Sequence, residues 1–307
     1  MPFHFRLSLS PLKLDKKILV HLALFVVALF YAGNFSFAKW AMPEYISAYA
    51  FIVLRVGAGM LFFVVYYFLF TREKITDKSD YLKLAIAAFF GVSLNMTAFF
   101  KGLSMTSAIN ASVLMLLAPV FVVIFNAIGY KKRIRPLVYL GIVVAFLGAA
   151  LLVDVGAALQ GSAYYLQGGS NAIWGDLLVM LNATSYAFYL FYVTRLLKKY
   201  RATTITMYLF IFGFIYVLPI GARDLLLVEW SALPPKAVFA MGYVIAGITI
   251  LAYLLNAWAL QNSNSTTVGS YIYLQPLLAT LIAVSLGVDH LTWDKLAFGL
   301  LIVFGLW

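Results

Sequence analysis

Long uninterrupted apolar runs dominate the chain. They cover Ile18 to Ala38, Tyr49 to Phe70, Leu84 to Phe100, Ile109 to Ile128 and Leu137 to Val153, then Ile173 to Val193, Ile205 to Ala222, Ala237 to Leu260 and Val268 to Val288, with a last run opening at Leu296. A helix needs about 20 residues to cross about 30 Å of hydrocarbon, and most of these runs reach or nearly reach that length. Lipid-facing barrel strands would instead alternate apolar and polar positions over about ten residues. The pattern therefore predicts helices, which satisfy their own backbone where no water is at hand. The expected fold is an all-α integral membrane protein of ten transmembrane helices. The final run has only twelve residues before the sequence stops at Trp307. The last helix is expected to be truncated there, with the natural chain continuing.

Composition supports the same solvent. Of 307 residues 64% are hydrophobic and only 11% charged, with a mean hydropathy of +0.97; a soluble globule needs more polar surface than that. The net charge of +11 raises the question of nucleic acid, but basic residues in a hydrophobic chain belong to cytoplasmic loops, and no nucleic-acid partner is expected. The partners implied are the lipid bilayer and a small-molecule substrate. With no cysteine, disulfides, thiolate metal sites and thiol catalysis are absent; no cofactor or metal is implied. Arg6, Lys13, Lys16 and Lys17 precede the first run as in a secretory signal, but that run exceeds the about 7–15 residues of a signal core and is read as a retained helix.

Orientation follows from the basic residues. If every run crosses once, four groups share one face with the N-terminal arm: that arm itself, then Arg72, Lys74, Lys78 and Lys83, then Lys131, Lys132, Arg133 and Arg135, then Arg195, Lys198, Lys199 and Arg201. The other face holds Lys39, Lys101, Arg223, Lys236 and Lys295. The excess places the N-terminus in the cytoplasm. Residues 1–17 form a cytoplasmic arm, and 154–172, glycine-bearing and free of Lys and Arg, form an external linker between halves 18–153 and 173–307. Five crossings per half is odd, so a second half that repeats the first sits inverted, as in many secondary transporters. Lys101 to Pro119 aligns without gaps on Trp258 to Pro276: each has a helix end, a Ser/Thr/Asn turn, and a new helix interrupted by proline.

These residues resemble the drug/metabolite transporter superfamily, and most closely its EamA-type branch. The resemblance lies in Tyr31-Ala-Gly-Asn-Phe35 with Lys39, in Leu54-Arg55, and in the two blocks ending Ala118-Pro119 and Gln275-Pro276. It implies two inverted EamA-like five-helix repeats and a permease working by alternating access, with a cavity walled by spans 1, 3, 4, 6, 8 and 9. The second half offers no counterpart of Arg55.

Arg55 lies about 9 Å inside the second span at 1.5 Å per residue, so it must face protein or water. It is a candidate contact for a substrate anion, or else a structural arginine on backbone carbonyls. Pro119 and Pro276 each free a carbonyl one turn earlier near mid-membrane, where transporter sites commonly form. Polar residues inside the runs complete the candidate substrate site: Asn34, Asn95, Asn182, Tyr186, Tyr189, Asn256, Tyr271 and Gln275. Asn182, Tyr186 and Tyr189 share one helix face at i, i+4, i+7. Amides and phenols suit amphipathic metabolites; the alternative is interhelical hydrogen bonding, worth about 0.6 kcal/mol each. Gly141, Ala145 and Ala149 form a small-residue stripe suited to close helix packing. No acidic residue stands in the middle of a run, and Asp176 is three residues into the sixth, so coupling through a buried carboxylate is not expected.

The expected function is export of amino acids, their analogues or hydrophobic xenobiotics across a bacterial plasma membrane. A sugar-phosphate or nucleotide-sugar antiporter is the alternative within the superfamily, disfavoured because phosphate binding calls for several deep Lys or Arg. A membrane-embedded enzyme would need aspartate-rich pairs or an H-E-x-x-H helix, which the sequence lacks; a channel is the other alternative. Substrate identity, driving ion and oligomeric state are not specified by the sequence.

Overall fold

The computed structural model describes residues 16–131, 133, 135–153, 171–263, 267–268 and 271–305. The linker expected at 154–172 and the N-terminal arm fall almost wholly outside the described residues. Every regular element among those described is helical. In chain order these are α1 (Lys16–Ala41), α2 (Ala48–Phe70), α3 (Ser79–Met105), α4 (Ala108–Gly129), α5 (Pro136–Val153), α6 (Asn171–Leu197), α7 (Ala202–Leu226), α8 (235–261), α9 (Tyr271–Ser285) and α10 (Trp293–Gly305). Among the described residues, seven of the ten crossings that the runs predict are helices long and apolar enough to cross a membrane, namely α1 to α4 and α6 to α8. Helices α5 and α9 are shorter and apolar, and α10 has 13 residues.

Local chemistry sets the boundaries. Pro136 and Pro235 open α5 and α8 at positions where a missing N–H costs nothing. Ser47 and Ser107 cap α2 and α4, accepting from the amides of Ala50 and Asn110, each at 3.1 Å. Gly287, at φ 64°, takes the left-handed turn that ends α9.

Packing follows one scheme used twice. α6 lies against α3 and α4, while α1 lies against α8 and α9; α2 pairs with α7 and α5 with α10. Exchanging α1–α5 with α6–α10 turns this set of pairings into itself, as two related five-helix repeats require. The irregular stretches obey the same exchange. α3 widens into a π-helix at Phe89–Ser93 and α8 at Tyr243–Ala252. α4 is broken at Met115 and Leu116, and α9 begins with a 3-10 turn at Tyr271–Tyr273. Pro119 and Pro276 both stand third in the helical piece after the break, Leu117–Gly129 and Leu274–Ser285. A proline is well tolerated in the first turn of a helix, so each break places it where its missing amide is least costly.

Large apolar side chains face outward, among them Leu61, Val65 and Phe68 on α2, Leu137, Val143 and Leu147 on α5, and Leu277 and Leu281 on α9. Surface of this kind belongs against lipid, and the protein is an integral multi-pass membrane protein. The end of the bundle where α1 finishes is called distal below, and the end where α1 starts proximal.

The stripe Gly141, Ala145 and Ala149 packs on α10. A Cβ on Gly141 would lie 2.4 Å from the Gly305 carbonyl oxygen, and one on Gly148 would lie 2.9 Å from the backbone of Phe298 and Ile302. Backbone cannot yield as a flexible side chain does. Gly148→Val is therefore expected to lower stability by about 1–3 kcal/mol through overpacking. Gly242→Ala, with nothing within 4 Å of the added Cβ, is expected to raise it by about 0.5–1 kcal/mol. Unfolding of the detergent-solubilised chain measures both.

Candidate functional site

Arg55 sits on the second turn of α2 and is only 5% exposed. Its Nε donates to Thr249 Oγ1 at 2.8 Å, and that hydroxyl donates in turn to the Val244 carbonyl at 3.1 Å. The residues five apart are brought together by the π-helix of α8, so the widened turn is what holds the arginine. Gly59, one turn further along α2, allows the approach: a Cβ there would lie 2.5 Å from Phe210 and 2.9 Å from the Thr249 methyl. The guanidinium stands 5.3 Å from the Phe100 ring centroid, a cation–π distance. Among the described residues Arg55 has no carboxylate within ion-pair distance, and its terminal amino groups make no hydrogen bond.

Four tyrosines surround the same region. Tyr31 of α1 and Tyr253 of α8 lie within electrostatic reach of Arg55, and Tyr186 and Tyr189 of α6 lie within reach of Tyr31 and Tyr253. The rings of Tyr186 and Tyr189 are 6.0 Å apart. Each of the four is enclosed by protein yet keeps part of its surface accessible. Gly91, in the π-helix of α3, lets Tyr189 come close, since a Cβ there would fall 2.5 Å from its ring.

Tyr253 is absent from the sequence-derived candidates, although a signal existed: Thr249, Tyr253 and Asn256 repeat the i, i+4, i+7 spacing of Asn182, Tyr186 and Tyr189. Of the other candidates, Asn95 and Asn182 face each other. Asn95 Nδ2 donates to the Asn182 carbonyl at 3.2 Å and Asn182 Nδ2 to the Asn95 carbonyl at 2.9 Å. Their donors are thus used in joining α3 to α6. Tyr271 lies near the proximal end, 2.9 Å from His21 Nδ1, apart from the Arg55 cluster. Asn34 is buried with Oδ1 unpartnered. Asn256 and Gln275 are half-buried. A separate cleft of about 410 Å³ opens on the distal surface, lined in part by Pro43, Ser47, Asp224 and Leu233.

Polar ties hold the helix ends together at both ends of the bundle, some of them between the halves. Proximally, Asp80 is fully buried and accepts from Lys83 at 2.6 Å, Lys199 at 2.9 Å and the Tyr200 hydroxyl at 2.9 Å. The hydrogen bond to Asp80 raises the Lys199 ammonium above its ordinary range. Glu73 accepts from the Arg201 amide at 2.9 Å and the Thr204 hydroxyl at 2.6 Å. Distally, Lys39 donates to the carbonyls of Leu103 and Thr106 at 3.0 and 2.5 Å, the place where a cation best complements a helix C-terminus. Asp289 accepts from the Ile109 amide at 2.9 Å and from Lys295 at 2.7 Å. Burial acts to raise the Asp289 carboxyl, but Lys295 and the Ile109 amide outweigh it and hold the group below the usual carboxylate range.

The reciprocal amide pair carries a direct test. Asn182→Ala is expected to cost about 0.6–1.7 kcal/mol, the range for interhelical hydrogen bonds in a bilayer. Because both bonds belong to one contact, Asn95→Ala with Asn182→Ala should cost less than the sum of the two single changes. Denaturation of the four chains in mixed micelles measures this.

The sequence matches the EamA-like transporter family over residues 18–154 and again over 173–307. An uncharacterized transporter of Archaeoglobus fulgidus is 29% identical over 267 residues, 86% of this chain and 87% of that protein. The uncharacterized transporter YyaM of Bacillus subtilis is 22% identical, over 89% of this chain and 87% of its own. A solved crystal structure covering 94% of each chain has a TM-score of 0.58 at 17% identity, a likeness of fold. Matched twice along its length and folded on the repeated scheme described above, the chain belongs to the EamA-like transporter family.

Proposed function

We propose that the protein exports small amphipathic metabolites that carry a carboxylate, amino acids and their analogues foremost, by alternating access around the tyrosine-lined space. The observation that carries this reading is Arg55: a buried guanidinium fixed through Nε alone, with no carboxylate partner among the described residues. A buried charge needs a counter-charge or several hydrogen bonds. A substrate carboxylate would supply both, docking on the free amino groups as a fork. Tyr31, Tyr186, Tyr189 and Tyr253 then offer aromatic faces to an apolar side chain and hydroxyls to its polar groups. Asn34, Asn256 and Gln275 add amide groups to the lining, while Asn95 and Asn182 tie the wall together. One arginine suits a single carboxylate better than the several charges of a sugar phosphate.

The helices α1 to α10 each cross once in this reading, the proximal end facing the cytoplasm of a bacterial cell. The repeats rock about the central α2–α7 pair, and the breaks before Pro119 and Pro276 mark where α4 and α9 bend.

Counterflow in proteoliposomes, using a panel of amino acids beside their methyl esters, tests the assignment. The wild-type protein is expected to prefer the free acid. Arg55→Gln should lower uptake of the acid by about tenfold or more, as expected for loss of charge-assisted bonds worth about 1.5–3 kcal/mol, and leave the ester unchanged. Equal loss for acid and ester would assign Arg55 to structure alone.

A further inference from the structure

The distal end holds a carboxylate that the function above does not use. Asp176, in the second turn of α6, is 2% exposed, although the sequence places it near a helix end rather than in the middle of a run. One oxygen accepts the Thr106 hydroxyl. The other lies 3.5 Å from Asn110 Nδ2, a long contact, and Asn110 is itself buried with Oδ1 lacking a partner. All these partners are neutral, and among the described residues no cation lies within ion-pair distance of Asp176. An isolated ionised carboxylate in such a place is costly, and the neutral acid is the form that burial favours.

The neighbouring charges are engaged elsewhere. From α1, Lys39 is held by the Leu103 and Thr106 carbonyls. From the α9–α10 connection and α10, Asp289 and Lys295 bind each other, and Lys295 also reaches the His290 carbonyl. From α3, Lys101 stands over the Tyr49 ring at 5.8 Å. From α7, Asp224 takes the Ser47 hydroxyl at 2.6 Å. His290 is exposed, its amide bonded to Asp289.

The turn at Thr106 and Ser107 is therefore gripped from both halves, by Lys39 of the first and by Asp176 and Asp289 of the second. Opening the distal end must part this turn from α6 and let water reach Asp176. We propose that Asp176 is a proton-binding site of the distal gate, taking up one proton when this end closes and releasing it when the end opens. The proton comes from distal water and adds to Oδ2, giving the neutral acid. With the Asn110 amide turned over, that O–H donates to Oδ1, and the amide N–H takes the place Oδ1 leaves; which way an amide points follows from its partners. Thr106 continues to donate to the other carboxyl oxygen. Each turnover then carries a proton step at a residue outside the substrate cavity. The inference rests on the alternating-access reading, but not on the substrate.

The chain has no cysteine, so Ala108→Cys gives a single reporter. Ala108 is fully buried beside the turn, and a thiol there reacts with a membrane-impermeant maleimide only when the distal end opens. Chains in proteoliposomes are labelled across a pH series, and each rate is divided by that of the same chain denatured, which cancels the pH dependence of thiol chemistry. Elution as a single species in detergent checks that the variants fold. Linkage to one proton predicts that the ratio rises with pH by up to about tenfold per pH unit. Asp176→Asn should stay closed, and His290→Gln should keep the wild-type rise. A ratio independent of pH, or a rise abolished by His290→Gln, overturns the proton assignment while leaving alternating access intact. A wild-type chain that never labels while its denatured form does overturns both.

Discussion

A bilayer offers no hydrogen-bond partner to a peptide group, so every departure from a regular helix must be satisfied inside the bundle. This constraint governs the molecule. The departures are the π-helices of α3 and α8 and the breaks before Pro119 and Pro276, and they come in pairs related by exchange of the two halves. Each lies against protein. The Val244 carbonyl in the widened turn of α8 receives the Thr249 hydroxyl, and Thr249 then receives Arg55. Irregular backbone and buried charge are thus two parts of one arrangement: the first creates the acceptor that the second requires.

The middle and the ends of the bundle are built differently. Asn95 and Asn182 bind each other's backbone, so α3 and α6 are joined near mid-bundle by contacts enclosed in protein. The ends are joined by side chains reaching loop backbone and helix termini, such as Lys39 on the last carbonyls of α3 and Glu73 on the Arg201 amide. Water can replace such contacts, because the groups involved regain hydration as they part. It cannot so readily enter the Asn95–Asn182 contact. In the exchange that relates α1–α5 to α6–α10, α2 and α7 pack against each other, as do α5 and α10.

How far this could be read from residues alone differs from one feature to the next. The apolar runs translate directly into helices: Ile205 to Ala222 becomes α7 and Tyr49 to Phe70 becomes α2, the latter starting after the capping Ser47, with ends shifted by a few residues. The shared punctuation of Lys101 to Pro119 and Trp258 to Pro276 corresponds to the paired helix breaks. Asn182 and Tyr186 share a helix face, yet that face serves two purposes, Asn182 bonding to α3 and Tyr186 joining Tyr31 and Tyr189 near Arg55. Tyr253 has the same spacing from Thr249 and Asn256 as Tyr186 has from Asn182 and Tyr189, but only the packing of α8 on α1 and α2 brings it near Arg55. Asp176 lies near a helix end by sequence, where solvation is the ordinary outcome, and it is the α3–α4 turn folding over it that buries it.

The order of residues is enough to establish that lipid is the solvent, that the elements are helices, where proline and serine punctuate them, and that a basic residue lies within the second apolar run. These follow from local composition and spacing, since hydrocarbon length and backbone hydrogen bonding act on each segment separately. Only the tertiary structure decided which polar groups meet. Arg55 and Thr249 are 194 residues apart, Asn95 and Asn182 are 87 apart, and Thr106 and Asp176 are 70 apart. A hydrogen bond depends on a few tenths of an ångström and on direction, and no pattern along one helix fixes the rotation and depth of its neighbour. That is set by how the small residues and aromatic rings of both halves interlock.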